Sequence, residues 1–123
     1  MYLSDMQAAA RVALRYLGAG SRRDLDENQM LADAVVRQLE ILGEAASHVG
    51  VATRETNPAV PWRGLTGMRN VLIHAYHRVD MDEVWRTVTE DLPAVARAPR
   101  ATPRALGIRT VGVSTLPVEV AIK

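Results

Sequence analysis

The sequence has no cysteine and no phenylalanine, and only two tryptophans and three tyrosines in 123 residues. Without cysteine, disulfides, thiolate metal sites and thiol nucleophiles are all excluded. Aromatic strand formers are scarce while Ala, Leu and Val are plentiful. Ala and Leu are strong helix formers, so the composition points to helices rather than sheet. No apolar run approaches the roughly 20 residues that a membrane span requires. The opening MYLSDMQAAARVALRYL lacks a basic start followed by an apolar block, so it does not read as a signal peptide. A soluble cytoplasmic protein with no membrane partner is the expectation. There is no glycine-rich phosphate loop, no serine beside a candidate base and no internal repeat.

The length is that of one compact domain, and a hydrophobic fraction of 48% is enough for a core. The formal net charge of +1 conceals an asymmetry. Residues 1–96 hold ten arginines against thirteen acidic residues, whereas residues 97–123 hold five basic residues against Glu119 alone. The body is mildly acidic and the tail is basic, and no broad positive field marks a duplex-DNA binder. The division expected is a helical domain over 1–96 followed by a basic, proline-containing extended or disordered tail over 97–123.

Four main helices are expected in the body. Ser4 and Gln7 have capping-box spacing, which predicts a first helix from Ser4 with Met6, Ala10, Ala13 and Leu17 as its stripe, ended by Gly18 and Gly20. Asp24, Asp26 and Glu27 suit the start of a second helix, since carboxylates favour the positive end of the helix dipole. Leu31, Val35, Leu39, Leu42, Ala46 and Val49 follow at helical spacing, with Gly43 inside the pattern. Arg22 and Arg23 read as a solvated loop before it. TRETNPAVPW is a connection with room for one short turn of helix. Pro61 suits the first position of a third helix, expected to reach His77, because its missing N–H costs nothing there. Asp80 and Glu83 form a second capping-box pair, ahead of a fourth helix carrying Val84, Val88 and Leu92, which Pro93 should end or kink.

The third helix holds the chemistry. In GMRNVLIHAYHRVD, residues 67–80, an arginine, an asparagine, two histidines and a tyrosine interrupt an apolar run. With Arg69 at 0° on an ideal helix, Asn70 falls at about 100°, His74 at about 140° and Tyr76 at about −20°. Asn70 and His74 are therefore neighbours at i and i+4, and Arg69 shares an edge with Tyr76. Arg69 and His74 diverge. A site that uses both needs a distorted helix end or a second copy of the helix, which a two-fold homodimer supplies. Histidine exchanges protons near neutral pH, and the arginine fork suits phosphate oxygens. The set fits phosphoryl chemistry on RNA, with proton transfer at a 2′-hydroxyl and charge stabilisation at phosphorus, and needs neither metal nor cofactor.

A structural reading competes with this one. Arg69 would then pair with Glu40 or Glu44 between helices, and Tyr76 would be a core residue with its hydroxyl at the surface. Trp62 and Trp85 read as core or interface anchors, and His48 is isolated. His74 and His77 lack a third acidic ligand, so a zinc site is not expected.

RNVLIHAY has the form R-x4-H-x-Y with a polar residue directly after the arginine. Together with LEILGEAA before it and VDMDEVWRTVTEDLP after it, it resembles the HepT-like toxins of the HEPN superfamily, over roughly residues 4–96. The resemblance implies an all-α, antiparallel bundle of four to five helices, homodimeric, with both motifs facing a shared cleft. It implies a metal-independent endoribonuclease, the toxin of a prokaryotic toxin–antitoxin pair of the type II or VII kind, that cleaves tRNA or mRNA. Arg69 and His74 match the catalytic pair and Asn70 the supporting polar position. The implied partner is a minimal nucleotidyltransferase antitoxin that transfers AMP to Tyr76. The alternative is a non-catalytic nucleotide-binding subunit of a nucleotidyltransferase.

Overall fold

The computed structural model describes residues 2–74 and 79–99, with the side chains of residues 69–71, 73 and 74 outside that description. Among the described residues the chain is all-α, without strands. Helix α1 spans Tyr2–Leu17, α2 Arg22–Glu27, α3 Gln29–Ser47, α4 Val51–Glu55 and α5 Trp62–His74. Helix α6, Met81–Arg86, runs through a π-helical turn at Thr87–Asp91 into α7, Leu92–Arg97. The long elements are α1, α3, α5 and the α6–α7 rod, as expected for the bundle.

One core unites them. Met6, Ala10 and Ala13 of α1, Val35, Leu39 and Leu42 of α3, Leu65 and Leu72 of α5, and Val84, Val88 and Leu92 of the last rod are all at most 1% exposed. Burial of each of the valine, leucine and methionine side chains stabilises by about 1.5–3 kcal/mol against exposure. Helix α3 is the central element, packed against both α1 and α5.

Several local expectations are corrected. Helix α1 begins at Tyr2, so Ser4 lies inside it rather than capping it. Gln7 is not a capping partner. It is 1% exposed, and its side-chain amide donates to the carbonyl oxygens of Val95 and Ala98. A long-range acceptor pair fixes α1 to α7, which local spacing could not reveal. Helix α1 does end where expected, at Gly18, whose φ of 55° favours glycine.

The expected second helix is two. Asn28 caps α3, its side-chain oxygen accepting from the Leu31 N–H at 3.0 Å, and the extended backbone at Asn28 breaks the run. Arg22 and Arg23 therefore lie on α2, not in a loop. Arg22 pairs with Asp26 at 3.0 Å and with Asp82 at 2.8 Å, joining α2 to α6. These carboxylates, Asp82 first, raise the Arg22 pKa further above its ordinary value.

Asp80 caps α6, accepting from the Asp82 N–H at 2.8 Å. The reciprocal half of the expected box is absent, because the Glu83 carboxylate is taken by Arg86 at 2.8 Å. Pro93 does not end the last helix. The widened turn ahead of it, where the Leu92 N–H bonds to the Thr87 carbonyl five residues back, absorbs the missing N–H and the bulk of the ring. Pro93 thus sits in the first turn of α7, where proline is tolerated.

Candidate active site

Helix α5 is built to present one face to the core and leave the other to chemistry. Val60, buried at 3%, and Pro61 lead into it, and the Leu65 N–H closes the first turn on the Pro61 carbonyl at 3.0 Å. Leu65, Met68 and Leu72 are buried on a single stripe. Relative to the centre of that stripe, positions 70 and 74 lie on the opposite side of the helix, each about 160° away. Position 69 lies about 65° from it, at the edge of the buried face. Polar residues can therefore crowd this helix without entering its core. Arg69, Asn70 and His74 all fall within the regular helix, and the described helix shows no distortion that would bring positions 69 and 74 to one side. Tyr76 and His77 lie outside the described residues.

The start of α5 is held in part by Arg54, to which the sequence assigned no role. Arg54 of α4 donates to the carbonyls of Ala46 at 2.9 Å and Val49 at 3.1 Å, satisfying acceptors at the end of α3. Its guanidinium also lies 5.4 Å from the centre of the Trp62 ring. The Trp62 indole N–H donates to the Asn57 carbonyl at 2.9 Å. Trp62 and Trp85 both pack on the core, as expected of anchors. The end of α3 is thus fastened to the start of α5, and α5 runs back along α3. No short-range pattern marks Arg54, because its partners lie on two other helices.

Glu40 pairs with Arg37 at 3.4 Å, and Glu44 lies 3.0 Å from His48 Nε2. His48 is not isolated, since its ring also stacks on Tyr2 with centroids 5.0 Å apart.

Fold and motif together define an all-α bundle with a polar, histidine-bearing face on one of its long helices. A family model described as "Ribonuclease HepT-like" matches residues 6–102. A protein of Methanocaldococcus jannaschii, provisionally named RNase MJ1380, is 34% identical over 96 residues, covering 78% of this chain and 88% of the relative. A protein of Thermococcus cleftensis, provisionally named ribonuclease HepT, is 35% identical over 94 residues, covering 76% and 86%. A provisionally named RNase of Caldanaerobacter subterraneus subsp. tengcongensis is 36% identical over 96 residues, covering 78% and 86%. No solved structure matches the chain. The chain belongs to the HepT-like ribonuclease family.

Proposed function

We propose that this ribonuclease-family protein is a metal-independent endoribonuclease toxin, acting in the cytoplasm as a homodimer on tRNA or mRNA. The observation that carries the reading is the R-x4-H-x-Y sequence whose Arg69–His74 part lies on α5, with positions 70 and 74 opposite the buried stripe, in a chain of this family. His74 takes the proton from the ribose 2′-hydroxyl. The freed oxygen attacks the adjacent phosphorus, the bond to the 5′-oxygen breaks, and that oxygen leaves with a proton. The products are a 2′,3′-cyclic phosphate and a 5′-hydroxyl. Arg69 binds the phosphate and stabilises the charge that builds on it in the transition state. Asn70 orients His74 or the RNA. Positions 69 and 74 diverge on a regular helix, so the working cleft combines α5 from both protomers.

The proposed partner is a minimal nucleotidyltransferase antitoxin. The Tyr76 hydroxyl oxygen attacks the α-phosphorus of ATP, pyrophosphate leaves, and the phenolic proton passes to solvent or a base of the partner. The added AMP carries negative charge and bulk to the edge shared with Arg69 and competes there with RNA.

Incubation of the purified protein with a tRNA pool and with mRNA, in chelator, tests the nuclease. Wild type should leave cyclic-phosphate ends, and His74→Ala and Arg69→Ala should each reduce cleavage by about 10²-fold or more. Equal cleavage by all three proteins would refute the assignment.

A further inference from the structure

All thirteen acidic residues of the helical body lie outside residues 56–79, a stretch that holds Arg63, Arg69 and Arg78. Helix α5 falls inside this acid-free stretch. Arg63 follows Trp62, whose indole bond to Asn57 and contact with Arg54 fix the start of the helix. The Arg63 side chain is exposed, and among the described residues it has no ion-pair or hydrogen-bond partner. One turn on, Gly67 is exposed too, and a Cβ at that position would meet nothing within 4 Å among the described residues. With Leu65 of the core at 0°, positions 63, 67, 70 and 74 fall between about 140° and 200°. They are spaced four, three and four residues apart, so one stripe runs from Arg63 through Gly67 to the motif positions.

Stability explains neither residue. Glycine weakens a helix interior relative to alanine, and the open space around position 67 gives no packing reason for it. Arg63 lies in the first turn of α5, where the helix dipole disfavours a cation. We propose that Arg63 and Gly67 form a binding track for the RNA strand beside the scissile bond. Arg63 holds a flanking phosphate, and Gly67 leaves bare backbone where the strand lies against the helix. The proposal rests on the nuclease reading given above and extends its site toward the start of α5.

Distance separates this contact from the chemistry. Arg63 lies about 10 Å along the helix axis from position 70 and about 16 Å from position 74. A guanidinium there addresses a neighbouring phosphate of the strand rather than the one that is cut. Gly67 sits between, about 6 Å from Arg63 and about 4.5 Å from position 70 along the axis, where a side chain would lift the strand off the helix. Asp91 approaches α5 beside Gly64, off the stripe, and is already paired with Arg86 at 3.2 Å. The stripe has no large apolar side chain to bury, so a protein partner would gain little from it. An unpaired cation beside bare backbone, with no carboxylate on its own helix, is complementary to a polyanion.

Titration of the full chain with a 2′-O-methyl RNA oligonucleotide, which cannot be cut, and steady-state cleavage of the unmodified strand test this. Arg63→Gln should weaken binding about tenfold and reduce the slope of log affinity against log salt by about 0.7, the share of one phosphate on a single strand. In cleavage its loss should fall on KM rather than on kcat. Arg15→Gln removes the same charge from an exposed site on α1 and should leave the slope as in wild type. Gly67→Gln should keep or raise the thermal midpoint, keep the mass of wild type by light scattering, and lower kcat/KM at least about tenfold. A slope lowered as much by Arg15→Gln as by Arg63→Gln would overturn the track. So would a Gly67→Gln protein whose mass differs from wild type, since the face would then seat a protein chain. A wild type that cleaves RNA, matched by Arg63→Gln and Gly67→Gln in affinity, slope and KM, would overturn the track and leave the nuclease standing. A wild type that binds the oligonucleotide, with the expected loss in Arg63→Gln, but cuts no RNA would overturn the nuclease and leave the track standing.

Discussion

Gln7 and Thr87 are both buried polar residues at 1% exposure, and they should respond oppositely to substitution. The Gln7 amide has two carbonyl acceptors on the last helix. Gln7→Ala removes the donor, takes a bond from the Ala98 carbonyl while Val95 keeps the Ala98 N–H at 3.2 Å, and opens a cavity, so it should cost about 2–4 kcal/mol. The Thr87 hydroxyl finds no partner among the described residues. Thr87→Val replaces it with a methyl of the same shape and should raise stability by about 1 kcal/mol. Urea denaturation of both variants checks the pair, and a loss of stability in Thr87→Val would show that the hydroxyl is satisfied in solution. Tyr76 is tested at the same scale. Tyr76→Phe loses one hydroxyl, so it should cleave RNA as wild type does yet escape silencing by the nucleotidyltransferase. Mass spectrometry after incubation with ATP and that enzyme reads the outcome. Full modification of Tyr76→Phe at another residue, with loss of activity, would remove Tyr76 as the switch.

Among the elements, the α6–α7 rod is held across its wide turn by Arg86. The guanidinium meets Glu83 at 2.8 Å and Asp91 at 3.2 Å, five residues on. Hydrogen bonding to Glu83 raises the Arg86 pKa above its ordinary value, opposed by burial and assisted by Asp91. A cation whose pKa is raised on folding contributes stability that is complete below its unfolded pKa and is lost only as the pH rises through the folded one, far above the physiological range. Arg86→Met should therefore lower the thermal midpoint by the same amount at pH 6, 8 and 10. The deficit should be small and should shrink in salt, because the side chain is 37% exposed. A deficit that faded between pH 6 and 10 would contradict this account. The π turn also explains why a proline at position 93 fits within a rod: the break in α-helical bonding comes before it, at Thr87–Asp91.

For the molecule as a whole, the last hydrogen bond between the chain end and the bundle among the described residues is that from Gln7 to the Ala98 carbonyl, two residues beyond the expected boundary at 96. Truncation after Pro99 should leave the cooperative unfolding transition and its midpoint unchanged within error. Truncation after Ala96 deletes one of the two acceptors of Gln7 and should lower stability by about 1–3 kcal/mol. Paired calorimetric scans decide it. A large loss on removing only residues 100–123 would show that the basic tail contributes to the fold.

The sequence by itself determined the helical class, because composition and apolar spacing act locally and Met6, Leu39, Leu72 and Val88 fall where a 3.6-residue period puts them. It also determined the family, since the R-x4-H-x-Y string and its flanks are contiguous in the chain. The polar positions of α5 were legible for the same reason: 70 and 74 oppose Leu65, Met68 and Leu72 on any regular helix. Tertiary structure alone decided what long-range partners decide. Gln7 turned from a cap into an anchor because Val95 and Ala98 reach it from the far end of the chain. Glu83 left its capping box because Arg86 offers a charged partner, and charge-assisted bonds are stronger than neutral ones. Arg54 gained its place from carbonyls at the end of α3 and a tryptophan on α5, three segments that meet only after the chain has folded.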